Sequence, residues 1–418
     1  MSNCIFPVEI LEVILEDLIS EFRDIDPYGI SVKCAPYLQH NLLPLLRICK
    51  SWYIIAERLL YRSVSVGGGV PLGLGQPEGC IPQTVPTRIC REMPEFRYVP
   101  LPAHEVAKKL LATLTTNARM AALVTDLRLA VGDIASPEWT RTNALILRAC
   151  PNVQHVQIIG FNRLESNILS DVLKEKSLVS FCITPHSYNS RSRFIRHSFN
   201  LLEVMQSWPK LRTIKVDALQ SLEWQNELDP PDPPLAPGCC PEFQEIQIGD
   251  CIIHYSVFDS LRVMSGNVKN LSIYTKSWFD NEARLEALCR CLRAWSSTLE
   301  RLSLCAAYRF IPSHPLCEAI STLQGLRKLE INELWDYGFI ADLPLLERLR
   351  FNSDYGTTNG TMLDLTTHLN DMRKFPALKH ISVCDEFDDR LRDICNRRNI
   401  VVEVWADDEE FDVGLTSW

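Results

Sequence analysis

The sequence predicts an α/β chain: a small N-terminal module of three helices, followed by an irregular solenoid with parallel strands on one face and helices on the other. Three observations predict it. Apolar residues recur at helical spacing through the first 66 positions. From Leu123 onward a pattern, apolar-x-x-apolar-x-apolar, returns ten times, and helix-like stretches fill the intervals between its copies.

In the N-terminal module, Pro7 suits the first turn of a helix, where its missing N–H would have no partner. Val8, Leu11, Ile14, Leu15 and Leu18 then follow at helical spacing, so one face is apolar. Two further stretches, Leu42 to Ile48 and Lys50 to Tyr61, carry Leu45, Ile48, Cys49, Trp52, Ile55, Ala56 and Leu59, which gives three short helices one small core. A module of about 60 residues buries too little surface to be very stable alone, so a partner surface or an adjoining domain is expected.

Residues 1–66 resemble an F-box. That family's pattern opens with an apolar residue, Pro, any residue, Glu, and Ile or Leu; it closes with an apolar-Cys-Lys/Arg-x-Trp run and a short apolar helix. Phe6, Pro7, Glu9, Ile10, Ile48, Cys49, Lys50 and Trp52 stand at the matching places. Phe6 replaces the usual Leu, and Ser20 to Asn41 between the two halves is longer than the usual connection. The resemblance implies docking on a Skp-type adaptor, through which a cullin is reached. Phe6, Pro7, Glu9, Ile10, Ile14, Cys49 and Trp52 are the residues it assigns to that contact, some directly and some by supporting the helices. The alternative from the residues alone is that these helices only cap the repeats, with the apolar stripe serving as core.

Residues 67–104 form a connector: Gly67-Gly68-Gly69, Gly73, Gly75 and seven prolines between Gly67 and Pro102 oppose regular structure. No Gly-Lys-Ser/Thr follows the glycines, which removes the reason to expect a nucleotide loop.

The repeats occupy residues 105–405. Their anchors are Val124/Leu127/Leu129, Val153/Val156/Ile158, Leu178/Phe181/Ile183, Leu211/Ile214/Val216, Phe243/Ile246/Ile248, Val268/Leu271/Ile273, Leu299/Leu302/Leu304, Leu326/Leu329/Ile331, Leu346/Leu349/Phe351 and Leu378/Ile381/Val383, starting 20 to 33 residues apart. The last two anchors alternate with a polar residue, as in a short strand with one buried face; the first holds the turn leading into it. Pro151, Pro209, Pro241, Pro344 and Pro376 sit two residues ahead of a first anchor, where proline stops a helix and sends the chain extended. Helices are expected over Thr142 to Ala149, Leu201 to Ser207, Val257 to Met264, Glu282 to Trp295, Leu316 to Leu323 and Met362 to Phe375. One such unit cannot cover its own apolar face, whereas a stack of them buries a continuous core.

This pattern resembles a leucine-rich-repeat solenoid. The family's Asn or Cys three places beyond the last strand residue is matched only by Cys251, so its hydrogen-bonded ladder is not expected and the horseshoe should be irregular. The resemblance implies parallel strands on the concave face and helices on the convex one. It makes the polar positions between strand anchors, Arg128, Gln157, Lys215, Gln247, Glu330 and Arg350, the candidates for contact with a target protein.

Asp229-Pro-Pro-Asp-Pro-Pro to Cys240 reads as a stiff inserted loop, and residues 406–418, with Asp407 to Asp412, as an acidic tail. Asp385 to Asp389 is expected to cap a helix starting near Arg390 rather than to hold a cation.

Composition narrows the function classes. A chain of 418 residues, 46% hydrophobic and 23% charged, fits two to three globular domains. A net charge of −9 and a pI near 5.6 argue against nucleic acid as a partner, since phosphate binding needs clustered Lys and Arg. Glu9, Glu12, Glu16 and Asp17 interrupt the first apolar stretch, and no run of about 18 apolar residues exists; the expectation is a chain with no membrane partner, in the cytosol or nucleus. The sixteen cysteines contain no Cys-x-x-Cys pair, and Cys49, Cys150, Cys289 and Cys395 lie on apolar-periodic positions as small hydrophobes, so no metal is expected. With no His-Glu-x-x-His, Gly-x-Ser-x-Gly or Walker loop, neither catalysis nor a cofactor is expected. Together the two resemblances imply a non-catalytic substrate-recognition subunit of a Skp-cullin-F-box ubiquitin ligase, one that acts by raising the local concentration of target lysines. A leucine-rich-repeat scaffold is the alternative.

Overall fold

The computed structural model describes residues 10, 13, 15, 44–48, 50–66, 103–130, 137–159, 166–184, 201–216, 236–249, 255–275, 282–306, 314–331, 337–351, 359–383 and 389–404. The chain divides into two compact units, one built on Met1–Leu173 and one on Lys174–Gly414.

In the first unit, Ile10, Val13 and Leu15 have helical backbone. A 3-10 turn at Pro44–Arg47 precedes helix α1 (Lys50–Arg62), which runs directly into strand β1 (Ser63–Val66). Helices α2 (Ala103–Thr116) and α3 (Ala118–Leu123) lead to β2 (Asp126–Ala130), α4 (Pro137–Ala149) to β3 (His155–Ile159), and α5 (Ser166–Lys174) follows. The strands are parallel and in register, Val64 beside Leu127 and Leu127 beside Val156. Leu127, Leu129, Val156 and Ile158 are buried, as the alternating pattern requires. Asn117 caps α3 by accepting from the Met120 N–H at 3.1 Å.

The second unit repeats the same step. Its elements are β4 (Ser180–Thr184), α6 (Leu201–Met205), β5 (Thr213–Val216), β6 (Glu245–Gly249), α7 (Tyr255–Met264), β7 (Asn270–Thr275), α8 (Glu282–Ala294), β8 (Arg301–Ala306), α9 (His314–Ser321), β9 (Lys328–Ile331), α10 (Gly338–Ala341), β10 (Arg348–Phe351), α11 (Asn359–Asn370), β11 (His380–Val383), α12 (Asp389–Arg398) and β12 (Val401–Val404). Strands β4 to β12 pair in parallel and strictly in sequence order. A parallel neighbour can be reached only by a crossover, and the helices supply most of these. This is the alternation of a leucine-rich-repeat type of solenoid.

All ten expected strands form where their anchors stand. Ile214, Ile246, Leu271, Leu302, Leu329, Leu349 and Ile381 make one buried row across β5 to β11, each in register with the next. The first anchors, from Leu211 to Leu378, are buried beside it. Each such side chain contributes about 1.5–3 kcal/mol relative to exposure. Helices α4, α6, α10 and α11 end a few residues ahead of Pro151, Pro209, Pro344 and Pro376.

Two strands were not anticipated. Ser63–Val66, expected to close the helical module, is instead β1 and pairs with β2, because Tyr61, Val64 and Val66 repeat the anchor pattern one unit early. Val401–Val404 escapes the pattern because it has no buried anchor: its valines are exposed or half-buried beside β11. Helices α2, α3, α5 and α10 also lie outside the expected helices. Helix α12 starts at Asp389, one residue before the expected position.

Repeat joins repeat through hydrogen bonds at the strand starts. The carbonyl of Arg212 accepts from the N–H groups of Gln244 and Glu245, that of Gln244 from Lys269 and Asn270, and that of Lys269 from Glu300 and Arg301, and so on to Glu347 with Lys379 and His380. Side chains add to these bonds. The Trp295 indole donates to the Ser265 carbonyl at 2.9 Å, Ser265 Oγ to the Phe243 carbonyl at 3.2 Å, and Cys291 Sγ to the Phe258 carbonyl at 3.0 Å. None of the described cysteines is in a disulfide, and Cys150, Cys289 and Cys395 are buried. Among the described residues no helix is long and apolar enough to cross a membrane, and no group of His, Cys, Asp or Glu could hold a metal ion.

Candidate functional site

Two surfaces answer to the residues singled out in the sequence. The first lies on the N-terminal helices. Ile55, Ala56 and Leu59 turn one side of α1 into the core, and Glu57, also buried, fastens the helix to α3. Glu57 is only 4% exposed, accepts from Tyr53 Oη at 2.9 Å, and is gripped by both terminal nitrogens of Arg119 from α3. The Arg119 fork holds the Glu57 carboxyl below its ordinary value, against the opposing effect of burial. Ile54, and the ring of Tyr53 whose hydroxyl reaches Glu57, are exposed on the same helix. So are Ile48 just before it and, on the first helical segment, Ile10 and Val13, while Leu15 is fully buried. Ile10 and Val13 are spaced i, i+3 and share a helix face. Five of the eleven large hydrophobic residues exposed among the described residues thus fall within the first 54 positions. Isolated exposed hydrophobes are ordinary, and a contact surface needs several of them side by side.

Of the residues assigned to an adaptor, Ile10 is exposed and Trp52 half-buried on α1. Phe6, Pro7, Glu9, Ile14 and Cys49 lie outside the described residues. Glu57 was missed: Tyr53 and Glu57 at i, i+4 were visible, but Arg119 is 62 positions away.

The second surface is the polar face of the sheet. Register makes Arg128 and Gln157 neighbours in the first unit, and Lys215 and Gln247, then Glu330 and Arg350, neighbours in the second. The row between them is completed by Ser272 and Ser303. Gln247 is 6% exposed and Ser303 is buried too, so they have little surface left for a target, whereas Arg128, Gln157, Lys215, Glu330 and Arg350 are half-buried. A second row, two residues earlier on each strand, was not singled out: Thr213, Glu245, Asn270, Arg301, Lys328, Arg348 and His380. The alternation that pointed to the first row points equally to the second. Thr213 Oγ1 donates to Glu245 at 3.2 Å, and Glu330 lies 3.9 Å from Arg301 and 3.7 Å from Arg350.

No protein-family model and no curated protein matches the chain. Solved structures do. The chain is similar to one in the crystal structure of a TLR13-ssRNA13 complex, with a TM-score of 0.39, 10% identity, and coverage of 69% of this chain and 37% of that one. It is also similar to human 5T4 (Wnt-activated inhibitory factor 1, trophoblast glycoprotein), with a TM-score of 0.29, 15% identity, and coverage of 67% and 78%. The chain therefore spans little more than a third of the first of these proteins, and likenesses at such TM-scores say nothing of what this chain binds.

Proposed function

We propose that the chain is a substrate-recognition subunit of a Skp-cullin-F-box ubiquitin ligase, binding a Skp-type adaptor through its N-terminal helices and a target protein through the polar face of its repeats. The observation that carries this reading is the exposure of Ile10, Val13, Ile48, Tyr53 and Ile54 on a segment whose sequence resembles an F-box. Burying four or five such side chains against a partner supplies several kcal/mol at about 25 cal/mol per Å². The polar face, by the same reading, selects the target and performs no chemistry.

One observation favours a second reading, in which the N-terminal helices only cap the repeats: the bidentate Glu57–Arg119 pair ties α1 to α3. Co-expression with a Skp-type adaptor, followed by gel filtration, separates the two. Under the receptor reading a stoichiometric complex forms and is lost with Ile54→Asp, an exposed position whose change leaves the core intact, and with Pro7→Ala combined with Trp52→Ala. A folded, monodisperse wild type that ignores the adaptor overturns the receptor reading in favour of the cap.

A further inference from the structure

On the polar face of the second unit the cations are not spread evenly. Across β8, β9 and β10, register places Arg301 beside Lys328 and Lys328 beside Arg348, with Arg350 on the same face two residues along β10. Neighbouring strands are about 4.8 Å apart, so four positive side chains crowd a width of roughly 10 Å. The two rows contain one carboxylate there, Glu330, and it is shared between Arg301 and Arg350 at 3.9 and 3.7 Å, the lengths of loose ion pairs. Neither Lys328 nor Arg348 has an ion pair among the described residues. Over β5 to β7 the same two rows hold a single cation, Lys215, and a single carboxylate, Glu245. Within these described rows the excess positive charge is thus local, on a chain whose net charge is −9.

That charge is held at a cost. Burial, and then the guanidiniums of Arg348 and Arg301, push the Lys328 ammonium below its ordinary value, with Glu347 acting in the opposite sense. An anion laid across the three strands relieves the repulsion, and the planar guanidiniums match carboxylates two bonds at a time.

We propose that Arg301, Lys328, Arg348 and Arg350 form a docking site for a short acidic segment of a protein partner, one in which a few Asp or Glu side chains are clustered. A peptide fits better than a nucleic acid for two reasons on the surface itself. Polyphosphate binding needs cations along an extended track, whereas this cluster is three strands wide; and a chain of net charge −9 repels a long polyanion while leaving a short one free to reach a local patch. The inference rests on the polar face alone, so it holds whether the N-terminal helices bind an adaptor or cap the repeats.

The test uses the full chain and fluorescence anisotropy with three labelled probes of similar length: a Gly/Ser peptide carrying four consecutive Glu, the same peptide with Gln in their place, and a single-stranded DNA oligonucleotide. The expected result is that the Glu peptide binds at least about tenfold more tightly than the Gln peptide and weakens as salt rises. Lys328→Glu with Arg348→Glu abolishes that binding, and Arg392→Glu on the exposed side of α12 leaves it unchanged. Should the double reversal fail to fold by circular dichroism, Lys328→Gln with Arg348→Gln replaces it, with a loss of at least about fivefold expected. Equal binding of the Glu and Gln peptides, no binding of either, indifference to the patch variants, or tighter binding of the oligonucleotide each overturns the proposal. Adaptor binding in the same preparations reports separately on the proposed function.

Discussion

Arg398 closes α12, and its guanidinium donates to three backbone carbonyls: Nη1 to Leu369 at 2.9 Å, and Nη2 to Lys374 at 2.7 Å and to Phe375 at 2.9 Å. What it holds is a strained turn. Phe375 is fully buried at φ 52°, a left-handed conformation that costs a residue with a Cβ about 1–2 kcal/mol. Charge-assisted bonds contribute about 1.5–3 kcal/mol each, but three from one side chain are not additive, so Arg398→Ala should cost about 3 kcal/mol locally. That corresponds to roughly a 150-fold rise in the local opening equilibrium. Arg398→Lys keeps the charge but not the fork and should recover no more than about half of the loss. A chain of two units has no single well-defined unfolding free energy, so the suitable assay is native-state hydrogen exchange by mass spectrometry over 371–383 and 389–404. Peptides from β6 to β8 serve as the internal reference. Exchange in Arg398→Ala within about threefold of the parent, or Arg398→Lys indistinguishable from it, refutes the argument that the planar fork holds this turn.

Three other outcomes are expected. Asn143 on α4 is fully buried, and neither its amide nitrogen nor its amide oxygen has a hydrogen-bond partner among the described residues; Asn143→Leu should therefore stabilise the first unit by about 1–3 kcal/mol, and native-state hydrogen exchange over β2 and β3 that is not slowed sinks that account. Glu57, whose carboxyl sits below its ordinary value of 4.5, contributes stability that is present above that value and lost as pH falls through the lower folded one. The opening free energy of α1 and α3, read by native-state hydrogen exchange corrected for the intrinsic rate, should thus fall as pH drops below the ordinary value of 4.5 in the parent and fall less in Glu57→Gln; parallel curves for the two contradict it. Burial pushes the Cys240 thiol up to about 12 and the Cys395 thiol up to about 11, so neither is ionised at pH 8. Iodoacetamide footprinting should leave both unmodified until the chain is unfolded, and labelling of native Cys240 as fast as of half-buried Cys239 would show the burial argument to be mistaken.

Much of the architecture was legible because its signal is local. An anchor such as Leu302 with Leu304 needs only the two-residue alternation of a strand, and Pro344 or Pro376 needs only its own missing N–H to end a helix. Where burial fails, so does the pattern: the β12 valines are exposed or half-buried and carry no anchor to read. The polar positions Arg128, Lys215 and Glu330 were likewise available from alternation, as was the overlooked row through Arg301 and Arg348.

Which of those positions meet was not available. Arg301, Lys328 and Arg348 become neighbours because three strands separated by whole helices stack in one register, and no residue in the intervening 20 to 27 positions announces that alignment. The same holds for Arg119 reaching Glu57 across 62 positions, and for Arg398 closing on carbonyls 23 to 29 residues earlier. The sequence by itself determined the repeat, its anchors and its helix stops, since periodicity and backbone chemistry act over a few residues. Only the tertiary structure decided the exposed face of α1, the cation cluster on β8 to β10 and the side-chain bonds of Trp295, Ser265 and Cys291 between neighbouring repeats. Charges and donors find their partners by proximity in space, and that proximity is created by packing whole repeats against one another.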